Sequence, residues 1–256
     1  MDSTGGRSGK LNGAGIAVFL VFLALVGCAA SPARNRDPLQ AFNRKAYAFN
    51  DKLDRAVLEP ISKAYTKVTP RPMRTGIHNF FHNLGYPYVI VNNFLQGRFK
   101  PGFTNIGGFI LNLTVGIGGL FDVADDMGIR RLDQNFGATA GVWGIGEGAY
   151  LVLPFLGPTT VRGLPGIPLQ WFTSPVSSVS DTRVQITISA LDTISTRAGH
   201  QQDIEHIRDA LDPYSFLKSG FLQHQNYLIH GGSVSNEELL QELQPAPNPA
   251  STPPAK

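Results

Sequence analysis

The 256-residue sequence predicts a predominantly α-helical domain between Asp37 and Gly232, and three observations carry that prediction. Leu39, Phe42, Ala46, Phe49, Leu53 and Val57 recur at the three-and-four spacing of one helix face. The stretch PYVIVNNFLQ, 87–96, opens on proline and is followed by Gly97, the order in which helices start and stop. Asp212 and Pro213 put a capping residue and a first-turn proline ahead of an apolar run that reaches Ile229.

Ahead of this domain, residues 1–27 have the three parts of an export signal: a polar start with Arg7 and Lys10, an apolar stretch from Ile16 to Val26, and small residues at Gly27, Ala29 and Ala30. The apolar stretch is shorter than the roughly 20 residues that cross a bilayer core. It ends at Cys28, the only cysteine in the chain. A lone thiol closes no intramolecular disulfide, and a structural zinc site draws on several Cys and His together, so the thiol is either incidental or a place to attach something. Leu25, Val26, Gly27 and Cys28 resemble the bacterial lipobox, in which the signal is cut before a cysteine that then receives acyl chains. One chain anchors marginally and two or more hold firmly. An Asp after such a cysteine usually retains a lipoprotein at the inner membrane; Ala29 stands there, so the outer membrane is expected, with residues 28–36 as the lipidated tether.

In the first helix, Asp37 is placed as N-cap, Pro38 at the first helical position and Gln40 as the capping-box partner, and Pro60 sets the expected stop. Asn43, Asn50 and Asp54, seven and four apart, form a polar flank, either the solvent edge of a core helix or the wall of a cavity. Residues 102–124 are the most apolar stretch after the signal; a helix apolar nearly all round is buried or in lipid, although Asn105, Asn112 and several glycines weaken it as a spanning helix. Residues 136–158 set Gly141, Gly144, Gly146 and Gly148 among Trp143, Tyr150 and aliphatics. Glycine costs up to about 1 kcal/mol in a helix relative to alanine, so close packing on a neighbour or on a bulky apolar ligand is expected to compensate. VQITIS, 184–189, alternates as a strand does, while Val184, Ile188, Leu191 and Ala198 also fit a helix face; propensity favours the strand. Ile204, Ile207 and Leu211 mark a short helix, Gly231 and Gly232 end the fold, and the Pro-rich segment 233–256 is predicted to be disordered.

Apolar residues make up 42% of the chain and charged residues only 16%, below the average of about 25%, which suits contact with lipid. The net charge of +3 is spread without dense basic blocks, so nucleic acid is excluded as a partner and anionic head groups fit better. Enzyme templates are absent: there is no G-x-S-x-G elbow and no Walker loop. His78 and His82 are four apart without the glutamate of a zinc helix, which leaves them a surface or packing role, and Asp122, Asp125 and Asp126 have no partner nucleophile, so helix-end polarity accounts for that acidic cluster. No enzyme activity, cofactor or metal is predicted.

Five stretches carry a resemblance: DPLQAFNRKAYAFN at 37–50, VNNFLQG at 91–97, LNLTVGIGGLFDVA at 111–124, FGATAGVWGIGEGAYLVLPFLGPTTVRG at 136–163 and DPYSFLKSGFLQHQ at 212–225. In this order behind a lipobox they resemble the MlaA lipoproteins, also called VacJ. Ala149, Gly163, and His224 with Gln225 depart from the pattern, which tends to have Pro, Asp and two arginines there. The resemblance implies an all-α fold, a ring-like helical bundle in one membrane leaflet with a central amphipathic pore, and so favours helix at 184–189. It implies an outer-membrane lipoprotein that removes misplaced phospholipids from the outer leaflet and passes them to a soluble periplasmic carrier, beside a trimeric porin. A tethered lipid hydrolase and a structural lipoprotein supporting porins are the alternatives. Under the resemblance, Asn43, Phe49, Asn50, Asn112, Gly141, Trp143, Gly144, Gly146, Tyr150 and Leu153 become candidates for the lipid channel. A bulky charge at Phe49, Ala140 or Leu153 is expected to block or misgate it.

Overall fold

A computed structural model describes residues 37–129 and 131–233. The export signal, Cys28, the 28–36 tether and all but the first residue of the 233–256 tail lie outside the described residues. Helices α1 (Gln40–Leu53), α2 (Glu59–Val68), α3 (Arg71–Leu84), α4 (Tyr86–Leu95) and α5 (Phe99–Thr114) come first, followed by short α6 (Val123–Asp126) and α7 (Phe136–Val142). An antiparallel hairpin of β1 (Tyr150–Leu153) and β2 (Gly157–Thr160) precedes α8 (Gly166–Thr173), α9 (Thr182–Gly199), α10 (Gln201–Asp209) and α11 (Pro213–Ile229). Among the described residues the fold is all-α apart from this one two-stranded sheet.

Four local expectations need correction. Helix α1 starts at Gln40; the Asp37 carboxylate accepts from the Leu39 N–H and from the Asn43 amide, but does not cap the helix. Pro60 does not stop the chain, because Asp54–Leu58 widen into a π turn and the proline falls in the first turn of α2, where its missing N–H leaves no intrahelical bond unmade. Segment 102–124 is not one helix: α5 ends at Thr114 and the chain doubles back before α6. The Asn112 amide spans that break, donating to Asp122 Oδ1 at 2.9 Å and accepting from the Ala124 N–H at 2.9 Å. Residues 184–189, which propensity assigns to a strand, lie inside α9, as the resemblance implied. Asp181 caps α9 through the N–H groups of Arg183 and Val184, and packing on α2 and α3 outweighs the β-branched preference. Among the described residues no helix is long and apolar enough to cross a membrane.

The elements pack in a closed circuit rather than around one core. Helix α1 lies on β1, β2 lies on α11, α11 on α7, α7 on α4, α4 on α3, α3 on α9, and α9 on α2, which the π turn joins back to α1. Two seams are pinned by arginine. Arg98, just before α5, donates to the Leu228 and Ile229 carbonyls at the C-terminus of α11, where a cation also meets the negative end of the helix dipole. Arg208 of α10 bonds Asp51, Asp54 and Glu59 at 2.8, 2.7 and 2.7 Å, and Arg197 of α9 pairs with Asp54 at 2.8 Å, so the π turn is held by cations from distant sequence.

Burial is inverted relative to a soluble domain. Among the described residues, buried polar side chains outnumber buried apolar ones, and Asn43, Asn83, Asn92, Asn93, Asn105 and Asn112 are all buried. Helix α5 shows the inversion most clearly: it buries Gly102, Asn105, Gly108 and Asn112 and exposes Phe99, Phe103, Ile110 and Leu113. An exposed apolar stripe of this extent marks a surface meant for lipid or for another protein.

The carboxylates at the seams make stability depend on acid. Lys63 and Arg208 hold Glu59 down at about 2, and Arg44 with Ser215 holds Asp212 far below the usual range. Burial opposes ionisation of Asp37, but hydrogen bonds from Tyr214 and Lys218 outweigh it and lower its pKa. These folded values lie below the unfolded ones of roughly 4, so the stabilisation is complete above about pH 5 and disappears as pH falls towards 2. The melting temperature is therefore expected to stay level from pH 7 to 5 and to drop steadily below pH 4; a level profile down to pH 2.5 contradicts this.

Candidate functional site

Helix α8 separates two cavities and lines both through Ile167 and Gln170. The first, about 240 Å³, takes its walls from Tyr88 of α4, Asn135 and Gly137 at the start of α7, the β-hairpin from Leu153 to Thr160, and Phe221 and Gln225 of α11. The second, about 390 Å³, lies between Phe81 and Leu84 of α3, Trp171 of α8, Val176, and Ile188, Ser189 and Asp192 of α9. Together they touch most members of the circuit. Each is many times the roughly 30 Å³ share of one water.

The walls are mixed in chemistry. Leu153, Leu156, Ile167 and Phe221 meet Asn135, Thr159, Gln170 and Gln225 in the first cavity. Gln225 is buried and its Oε1 has no partner among the described residues, an acceptor waiting for a donor from within the cavity. In the second cavity burial raises the Asp192 carboxyl pKa against a hydrogen bond from Thr196, so its charge is costly there. Burial likewise raises Tyr88, whose hydroxyl accepts from the Phe136 N–H at 3.0 Å and ties α4 to α7. The lining residues of the two cavities include neither His nor Cys. Such a surface accommodates a molecule with both polar and apolar parts, because either wall alone would leave one part unmatched at a cost of several kcal/mol.

The ten sequence candidates fall into three groups. Asn43, Phe49, Asn50, Tyr150 and Leu153 meet where α1 lies on β1. The Asn43 amide donates to the Tyr150 carbonyl and accepts from the Val152 N–H, both at 2.9 Å. One turn-pair on, the Asn50 amide donates to the Leu153 carbonyl at 3.0 Å and accepts from the Phe155 N–H at 2.9 Å. Phe155 holds φ 66°, so Asn50 secures a backbone shape that a phenylalanine seldom adopts. Phe49 packs edge-on against the same Phe155 ring, and Tyr150 is buried against Tyr214 and Phe221. Leu153 is the one of the ten that lines the first cavity.

The second group, Gly141, Trp143, Gly144 and Gly146, sits at the end of α7 and the segment after it. A Cβ on Gly141 would come within 2.6 Å of Ile229 Cδ1, so this glycine serves close approach of α7 to α11. Gly144, at φ 82°, follows the helix end, where the Ile145 N–H bonds back to the Ala140 carbonyl. The Trp143 indole N–H donates to the Leu95 carbonyl, and Gly146 faces open space. Asn112 stands apart from both groups, at the α5–α6 break. Tyr88, Ile167, Gln170, Asp192 and Phe221 line the cavities without having been singled out from the sequence, and Gln225, which also lines one, stood out there only as a departure from the family pattern. A signal for two of them existed: Tyr214, Phe221, Gln225 and Leu228 share one face of α11 by their spacing of seven, four and three.

Comparison with known proteins agrees with this architecture. The family model described as MlaA lipoprotein matches residues 35–228. The intermembrane phospholipid transport system lipoprotein MlaA of Escherichia coli K12 is 36% identical over 221 residues, covering 84% of this chain and 88% of that protein. The protein of the same name from Haemophilus influenzae is 30% identical over 247 residues, covering 89% and 96%. A solved structure from work on the structural basis for maintenance of bacterial outer membrane lipid asymmetry superposes with a TM-score of 0.66 at 32% identity, over 76% of this chain and all of that one. A circuit of helices with polar seams and exposed apolar stripes, the family model over most of the chain and these relatives agree: the chain belongs to the MlaA lipoprotein family.

Proposed function

We propose that this protein is an outer-membrane lipoprotein that takes misplaced phospholipids from the outer leaflet and passes them towards the periplasm, keeping the two leaflets different. Its exposed apolar stripe on α5 suits the acyl chains of the inner leaflet, with acylated Cys28 as the anchor. The observation that carries the reading is the pair of amphipathic cavities on either side of α8, inside a circuit that exposes many large apolar side chains. The relatives named for intermembrane phospholipid transport support the substrate class.

In this reading Leu153, Ile167 and Phe221 carry the lipid tails, and Gln170 and Gln225 meet the head group. Asn43 and Asn50 act on the path indirectly, by holding the hairpin whose residues form one wall. Movement follows the lipid gradient and the affinity of a soluble periplasmic carrier. A trimeric porin in the same membrane is the neighbour that the exposed apolar faces would meet beside the lipid.

Deletion of the gene tests the reading through surface-exposed phospholipid. Outer-leaflet phospholipid is expected to rise and to return to normal on complementation. Unchanged asymmetry would point to a structural lipoprotein instead, and release of fatty acid or lysolipid by the purified chain would point to a hydrolase.

A further inference from the structure

The geometry points to a second binding site, separate from the two cavities beside α8, that takes a phosphate group. A cavity of about 430 Å³ opens between α2, α3 and α9. Its lining includes Tyr65 of α2, Arg71, Arg74 and His78 of α3, Ser195 of α9 and His200, and no carboxylate. None of its lining residues is shared with the cavities beside α8.

His200 is paired with Asp203 at 2.8 Å, but the two arginines at this site lack counter-charges. Neither Arg71 nor Arg74 forms an ion pair or a side-chain hydrogen bond among the described residues, whereas Arg197 and Arg208 each grip two or more carboxylates nearby in the fold. Asp192, three residues before Ser195, lines the neighbouring cavity and is bonded by Thr196. Two polar atoms at the wall are buried with no partner: Arg74 Nε and the Tyr65 hydroxyl. A buried donor left unmatched pays its desolvation penalty in full, and more when it is charged, so an anion in the cavity would relieve a standing penalty. The site also stands at the N-terminus of α3, a 14-residue helix that begins without a side-chain cap and so presents its positive end there.

These donors select the ligand. Two guanidinium forks, a phenol and a serine hydroxyl offer more hydrogen bonds than the two oxygens of a carboxylate accept, and forks of this kind match phosphate oxygens in pairs. Val68, 77% exposed, and Met73, 59% exposed, flank Arg71 and provide apolar ground for tails if the phosphate belongs to a lipid. The site goes beyond the transport path, and binding at it is read without any transport measurement.

The test uses the purified full chain in detergent and three probes: dihexanoylphosphatidylglycerol, inorganic phosphate, and dihexanoylglycerol, which lacks the phosphate. The double substitution Arg71→Gln with Arg74→Gln is expected to weaken binding of the phosphorus-containing probes at least tenfold and to leave dihexanoylglycerol unaffected. Tighter binding of the phospholipid than of inorganic phosphate identifies a lipid head group as the source; equal binding identifies free phosphate. Should the double variant not fold, the unaltered chain gives the answer by labelling with phenylglyoxal and peptide mass spectrometry. Either phosphorus-containing probe is then expected to protect Arg71 and Arg74 more than dihexanoylglycerol does. Equal binding of all probes by variant and parent, or no protection by either, overturns the site.

Discussion

Asn43→Ala is expected to lower the free energy of unfolding by about 2–6 kcal/mol. Asn43 is fully buried, and its amide does for β1 what the backbone of another strand would do, donating to the Tyr150 carbonyl and accepting from the Val152 N–H. Alanine leaves that buried N–H and that carbonyl unpaired, each costing about 1–3 kcal/mol, because no water replaces an amide that is sealed beneath α1. The neighbouring packing of Ala46, Tyr150, Val152 and Tyr214 adds nothing to offset the loss, since alanine has no atoms that reach the strand. Urea titration with circular dichroism reads the change. A loss below 1 kcal/mol would show that the hairpin is held by its other contacts.

Ile167→Arg is expected to abolish lipid removal without unfolding the chain. Ile167 lines both cavities at the helix that separates them, and it is already 40% exposed, so its replacement forfeits little burial. A guanidinium at that junction fills the passage and sets a charge against acyl chains, a mismatch of several kcal/mol. Every 1.4 kcal/mol slows passage about tenfold, so a hundredfold or greater loss is expected. The volume-conserving change Ile167→Leu is expected to keep activity. Surface-exposed phospholipid in the Arg variant should match that of the deletion strain, at a melting temperature close to that of the parent. Normal lipid asymmetry in a well-expressed Ile167→Arg chain removes the passage from this place.

The first experiment tests which of the two roles left open for the polar flank of α1 is its own. From spacing, Asn43 and Asn50 are a solvent edge or a cavity wall; in the structure they are clamps on a hairpin more than 100 residues away in sequence. Periodicity shows that residues share a face, and it says nothing of what lies opposite. The same limit hid the π turn at Asp54–Leu58, which depends on Arg197 and Arg208 arriving from α9 and α10. It also hid Gln170 and Gln225, whose neighbours in the cavity come from other elements. Some local causes were legible: α11 runs from Pro213 to Ile229 because Asp212 accepts from the Ser215 N–H, and Gly97 at φ 70° closes α4; others were not, since Asp37 does not cap α1 and Asp181 caps a helix where propensity favours a strand.

By itself the sequence determined several helices and the Asp212 cap of the last one, the low charge that suits lipid, and the resemblance that led to the family and the all-helical class. These follow from propensities and spacings that act within a few residues. Only the tertiary structure decided which asparagines clamp and which glutamines line, that α5 buries its Gly and Asn stripe while exposing its Phe and Leu stripe, and that two unpaired arginines share a cavity. The physical reason is that a buried polar group takes its meaning from its partner, and here the partners come from elements distant along the chain.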